Sequence, residues 1–145
     1  MYNNFMLKYN AFAMIARIRD HVNKRIVHEL EQHEVTGIVP SHGDVLMFLY
    51  REETLSIKML AERVQRTQPT VTVLVNKLEK LGYVERSKSA EDSRVTMIRL
   101  TDNGKQLEPI FREVSNQINQ MIYADLSEEQ SEQLESLLSM IVRRF

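Results

Sequence analysis

The chain has 145 residues, 43% of them hydrophobic and 27% charged, with a net charge of −1 and no cysteine. A chain of this size removes roughly 68–70% of its unfolded surface from water, enough for one domain core. Disulfides, thiolate metal sites and cysteine-based redox sensing are excluded, and no apolar run approaches the ~18 residues of a membrane span. The opening residues Met1 to Phe5 lack the basic-then-apolar layout of a secretory signal, so a bacterial cytoplasmic setting is expected.

Only four glycines and three prolines interrupt the chain, which predicts long helices with few irregular connections. The segment from about Asn4 to Glu34 contains no breaker, and its apolar residues Phe5, Phe12, Ile15, Val22, Ile26 and Leu30 recur at helical spacing. Such a helix is longer than a small core needs. Thr36 to Pro40 reads as a loop, after which Ser41 is expected to cap a second helix with Asp44 near its positive end. Val45, Leu46, Phe48 and Leu49 form the buried side of that helix. Ser56 caps a short third helix with Ile57, Leu60, Ala61 and Val64 inward, and a fourth runs from about Thr67 to Leu81 until Gly82 stops it.

Beyond Gly82 the hydrophobic period falls from 3.6 to 2. Tyr83 to Ser87 and Val95 to Leu100 read as two strands joined by the polar tip Lys88 to Arg94, a β-hairpin. Thr101 caps a fifth helix striped by Leu107, Phe111, Val114, Ile118 and Met121 and bent by Pro109. Ser127 and Gln130 form a capping box for the last helix, striped by Leu134, Leu137, Leu138, Ile141 and Phe145. The long amphipathic ends fit either an intrachain bundle or, better given the length of the first helix, a homodimer interface.

Between Thr54 and Leu100 nine basic residues face five acidic ones, a surplus of four positive charges that leaves the remainder of the chain at −5. Such asymmetry fits a local phosphate-binding face. The pattern from Ser56 to Leu81 is that of a helix-turn-helix, in which the second helix enters the major groove. Val71, Leu74, Val75 and Leu78 lie on one side of that helix, and Pro69, Thr72, Val73, Asn76 and Lys80 on the other, flanked by Thr70 and Lys77. Threonines at 67, 70 and 72 lower helix propensity, a poor choice for a merely solvated helix. Gln68 and Asn76 suit paired bonds to adenine, the lysines suit phosphate or guanine, Val73 suits a thymine methyl, and amides at the helix start add phosphate affinity.

The stretches Leu60-Ala61-Glu62-Arg63-Val64, Gln68 through Arg86, Glu91-Asp92-Ser93-Arg94 and Leu100-Thr101-Asp102-Asn103-Gly104 together resemble the multiple antibiotic resistance regulator (MarR) family. The resemblance implies a mainly α fold with a small β-hairpin wing: a winged helix-turn-helix lobe over residues 36–100, with 1–35 and 101–145 as a helical dimerisation region of one 1–145 domain. It implies a ligand-responsive repressor that binds a pseudo-palindromic double-stranded DNA operator as a homodimer. Thr67, Gln68, Pro69, Thr70, Thr72, Val73, Asn76 and Lys77 would read DNA from the recognition helix. Arg86, Lys88, Asp92 and Arg94 would do so from the wing, Arg94 entering the minor groove with Asp92 orienting it. The sequence departs from many relatives at Val73, where they carry a basic residue, and at Gln65, where glycine is common in the turn.

The family also implies a small aromatic or phenolic effector, for which Phe12, Ile15, Met47, Tyr50 and Phe111 are candidates, although the same residues suit plain core. No cofactor is expected. No metal is expected either: His21 and His28, or Glu29 and His33, offer weak ligand sets, and the fifth helix carries Glu108 and Arg112 but no histidine. The absence of a phosphate loop, nucleophile elbow or carboxylate pair argues against an enzyme. The alternative is a winged-helix protein-interaction module that never touches DNA.

Overall fold

A computed structural model describes residues 9–145, so the expected helical start at Asn4 and Phe5 lies outside the described residues. Among the described residues seven helices and three strands follow in the order α1 (Ala11–Gln32), α2 (Pro40–Glu52), β1 (Thr54–Ser56), α3 (Ile57–Val64), α4 (Gln68–Lys80), β2 (Val84–Lys88), β3 (Thr96–Leu100), α5 (Asp102–Gln106), α6 (Glu108–Tyr123) and α7 (Glu128–Val142). The core is built where α2, α3 and α4 meet the sheet and α6. Val45, Leu46, Leu49, Leu60, Val71, Val75, Leu78 and Ile98 are wholly buried there.

Most ends of these helices follow local chemistry. The Ser56 Oγ accepts the Met59 amide at 3.1 Å, and the Thr101 Oγ1 accepts the Gly104 amide at 3.1 Å. Ser127 and Gln130 exchange side-chain bonds with each other's backbone N–H, the reciprocal box that the sequence predicts. At the end of α4, Gly82 adopts a φ of +84°, while Tyr83 N–H reaches the Leu78 carbonyl and Gly82 N–H that of Glu79. That pairing satisfies the last carbonyls of the helix and turns the chain into the wing.

Four expectations are corrected. Among the described residues the first helix runs over Ala11–Gln32, with Tyr9 and Asn10 not helical and Glu34 turning the chain at a φ of +62°. Ser41 does not cap α2; Val39 is the N-cap, Pro40 opens the helix, and the His42 Nδ1 accepts the Val39 amide at 3.0 Å. Proline suits that position because its missing N–H would go unpaired anyway. The hairpin is part of a three-stranded antiparallel sheet, ordered β1-β3-β2, because Thr54, Leu55 and Ser56 pair with Arg99, Ile98 and Met97. Finally, the fifth predicted helix is two helices, α5 and α6, divided at Leu107 with Pro109 in the first turn of α6.

The ends of the chain contrast with this closed core. On α1 only Leu30 is buried, and α7 buries no residue. Phe12, Met14, Ile15 and Ile18 on α1, Met121 and Ile122 on α6, and Leu137, Met140 and Val142 on α7 stand open to solvent.

Candidate nucleic-acid interface

Helix α4 turns Val71, Val75 and Leu78 into the core and leaves Gln68, Pro69, Thr70, Val73, Asn76 and Lys77 outside, with Thr72 half-buried. Val73 is 68% exposed, an apolar side chain placed where neighbouring positions are polar. The preceding turn is tight. Gln65 occupies the left-handed region (φ 57°, ψ 50°), and its successor Arg66 donates its amide to the Ala61 carbonyl. A non-glycine residue there carries a conformational cost, yet the 3.1 Å bond closes α3 and sets the angle at which α4 departs.

The start of α4 offers fewer free donors than the sequence implies. Thr67 Oγ1 accepts the Thr70 amide at 3.3 Å and donates to Thr70 Oγ1 at 2.9 Å, so the Thr67 hydroxyl is committed to capping. Pro69 has no N–H, which leaves the Gln68 amide as the open donor of the first turn. The Thr72 hydroxyl donates back to the Gln68 carbonyl at 2.9 Å. With its hydrogen committed, this threonine has its methyl group and the two lone pairs of its oxygen left to present outward.

The wing tip is ordered by two small devices. Ser89 Oγ accepts the amides of Glu91 and Asp92, and Val95 N–H donates to the Asp92 carbonyl, making a turn with Ser93 and Arg94 at its centre. Asp92 then holds Arg94 three times: Oδ1 accepts its amide at 3.0 Å and Nε at 3.1 Å, and Oδ2 accepts Nη2 at 3.1 Å. The guanidinium keeps the Asp92 carboxyl below the usual carboxylate range, so it is ionised at neutral pH. The Arg94 side chain is nevertheless 88% exposed, poised and solvent-facing together. Lys88, at the end of β2, is also exposed.

Arg86 is not a free wing cation. Its Nε lies 3.3 and 3.2 Å from the two carboxylate oxygens of Glu79, and its Nη2 donates to Asn76 Oδ1. It ties strand β2 to the outer face of α4. No short-range sequence pattern marks this tie, because it joins residues seven and ten apart across a turn.

The scaffold behind the interface accounts for the Leu-Thr-x-x-Gly segment. Thr101 N–H donates to the Tyr83 carbonyl at 3.0 Å and Thr101 Oγ1 to the Gly82 carbonyl at 2.5 Å, fastening α5 to the turn that ends α4. Gly104 is fixed by the same junction, since a Cβ there would lie 2.0 Å from the Tyr83 oxygen. Tyr50 completes the lock by donating its hydroxyl to the Gly104 carbonyl at 2.9 Å, and burial pushes its pKa upward.

The five effector candidates do not form one pocket in the single chain. Met47 and Phe111 line a cleft of about 190 Å³ with Ile26, Pro40 and Val114. Tyr50 faces a separate hollow beside Glu53, Arg99 and Lys105. Phe12 is 86% exposed and Ile15 is also exposed, and neither lines that cleft. Among the described residues no group of three or more histidine, aspartate or glutamate side chains is placed to hold a metal ion. Among them, too, no helix is long and apolar enough to cross a membrane.

A three-stranded sheet whose β2–β3 hairpin projects beside an outward-facing second helix defines a winged helix-turn-helix protein. A sequence profile described as MarR family matches residues 36–95. HTH-type transcriptional regulator SarZ of Staphylococcus epidermidis is 33% identical over 144 residues, covering 99% of this chain and 93% of its own. SarZ of Staphylococcus haemolyticus is 32% identical over 121 residues, 83% and 79% of the two chains. The chain belongs to the MarR family. Among solved structures, a Staphylococcus aureus MepR–DNA complex superposes with a TM-score of 0.82 at 27% identity, covering 94% of this chain and 97% of MepR. A mutant Escherichia coli MarR complexed with operator DNA shares the fold at the same TM-score, 18% identity and coverage of 97% and 99%.

Proposed function

We propose that this chain is a sequence-specific DNA-binding transcriptional regulator that acts as a homodimer. Residues 36–100 are the DNA-reading lobe, and 1–35 with 101–145 are the dimerisation region of a single domain. The observation that carries the reading is the two-sidedness of α4: three residues sealed in the core, and Gln68, Thr70, Val73, Asn76 and Lys77 presented outward beside an exposed, bidentately held Arg94. The names of the SarZ relatives and the DNA bound to MepR support it.

In this reading α4 of each protomer enters one of two adjacent major grooves, and Arg94 enters the flanking minor groove, where a narrow groove concentrates negative potential. Thr67 caps the reading helix, Lys77 and Lys88 engage phosphates, and Val73 meets a thymine methyl. The uncovered apolar faces of α1, α6 and α7 meet their copies across a two-fold axis, since patches of this kind mark interaction sites. Operator occupancy by a cytoplasmic dimer represses transcription. The cleft at Met47 and Phe111 is smaller than the roughly 300–1,000 Å³ of drug-sized sites and suits a single aromatic or phenolic ring.

Selection of bound duplexes from a random pool at physiological salt tests this. An enriched inverted repeat with half-sites ~10 bp apart is expected. Recovery of an unenriched pool would favour the protein-interaction module instead.

A further inference from the structure

Asn76 sits on the open face of α4 with its side-chain carbonyl taken by Arg86, which crosses from β2 and is itself held by Glu79, three residues beyond Asn76 on the same helix. Arginine donates hydrogen bonds and accepts none, so the Asn76 atom that meets it is the carbonyl oxygen. The orientation of the amide, ordinarily ambiguous between its oxygen and nitrogen, is thereby fixed. With the oxygen turned toward the wing, the NH2 group is what remains to meet a duplex. The Glu79 carboxylate, 3.2–3.3 Å from the Arg86 Nε, keeps the guanidinium engaged on the protein.

We propose that Arg86 is a positioning residue for base readout: by holding the Asn76 carbonyl it makes Asn76 a hydrogen-bond donor toward a base acceptor in the major groove. The proposal rests on α4 being the recognition helix. Guanine offers N7 and O6, adenine N7 and thymine O4, whereas cytosine shows only its N4–H2 donor on that edge. The base facing Asn76 is therefore guanine, adenine or thymine; cytosine, which could bond only to the second lone pair of a carbonyl already held by a cation, is disfavoured. This replaces the paired adenine contact that asparagine suggests when considered alone. Arg86 thus sets specificity from the wing side of the helix, without contributing a phosphate contact of its own.

The test is selection from a random duplex pool with wild type, Asn76→Ala, Arg86→Ala and Glu79→Gln, each first shown by sedimentation and melting to be a folded dimer. Asn76→Ala and Arg86→Ala are expected to relax the same base pair of each half-site. Under Arg86→Ala the freed amide turns over and cytosine rises there by about tenfold, while the slope of log affinity against log salt stays at the wild-type value. Glu79→Gln, which loosens the brace while keeping Arg86, is expected to relax that pair to a smaller degree, and it carries the test should Arg86→Ala fail to fold. The proposal is overturned if the arginine variant weakens all sequences alike and lowers the salt slope by about one, the mark of a phosphate contact. Relaxation of different positions by the two variants, or an unrelaxed profile in both the arginine and glutamate variants, overturns it as well. A wild-type pool that enriches nothing would instead remove the recognition-helix reading itself, and this inference with it.

Discussion

The centre and the ends of this molecule solve the burial problem differently. In the centre, Leu46, Leu49, Leu60, Leu78 and Ile98 are each sealed by neighbours from the same chain. At the ends, side chains of the same kind lie open, with Leu137 58% exposed and Phe12 86%. A soluble chain rarely leaves contiguous apolar faces of this extent uncovered. The difference teaches that the central lobe folds on intrachain contacts, whereas the end helices leave apolar faces that the proposed dimer would cover. A polar reading face carried on a self-sufficient lobe can then be presented twice by ends that require pairing.

The largest effect should come from placing charge on the ends. The double substitution Ile18→Glu with Leu137→Glu is expected to yield monomers by sedimentation and to lower operator affinity on the order of 10²-fold or more, because the second half-site no longer benefits from a tethered partner. Circular dichroism should still report the lobe's helices. Retention of the dimer would place the interface elsewhere.

Next comes the contrast within stability itself. Leu46→Ala removes a wholly buried side chain and should cost ~2–5 kcal/mol in denaturant unfolding. Leu138→Ala, on the open face of α7, should lower stability in a manner that depends on protein concentration. Equal, concentration-independent losses would erase the distinction between the two regions.

Arg94→Ala should weaken operator binding by ~1–3 kcal/mol in a gel-shift titration without altering the dimer. Unchanged affinity would relegate the Asp92–Arg94 pair to the surface ion pairs that contribute little.

The smallest effect is a pH dependence with opposed contributions. His42 is buried as the capping acceptor for the Val39 amide, and burial, then the nearby Lys77 charge, lower its pKa. A depressed histidine binds fewer protons folded than unfolded, so its contribution is present above about pH 6.5 and is lost as pH falls below it. His33 is raised, first by its bond to the Glu29 carbonyl and also by Glu113, so it contributes below about pH 6.5 and its contribution fades as pH rises through its folded pKa. His33→Gln should therefore steepen the acid-side loss of melting temperature, and His42→Gln should flatten it. The same slope in both variants would contradict these assignments.

What the sequence revealed was what local chemistry controls. Ser56, Thr101 and Ser127 announce helix starts because each cap bonds an amide three residues on, whereas the same role of Thr67 emerges only from the structure. The hairpin, the turn at Gly82 and the two faces of α4 are legible for similar reasons of period and punctuation. Strand β1 was not, since three residues cannot display an alternation and exist as a strand only by pairing with Met97 to Arg99, more than forty positions away. The cap of α2 is not legible because Val39, which has no side-chain acceptor, stands at the N-cap, and His42 at the third position takes the part usually held by glutamate or glutamine. The Arg86 brace and the scattering of Phe12, Ile15 and Tyr50 away from the Met47–Phe111 cleft depend on how elements pack, which spacing along one element does not encode.

A fixed spacing of two reading faces is what the proposed dimer requires, and it can be measured on the selected operator by inserting about five base pairs between its half-sites, half of the ~10 bp helical repeat. That insertion turns the second half-site to the opposite side of the duplex. A rigid two-fold dimer predicts that affinity collapses toward the non-specific level and recovers only in part when a full turn is inserted. Undiminished binding to the half-turn insertion would contradict the paired presentation of α4.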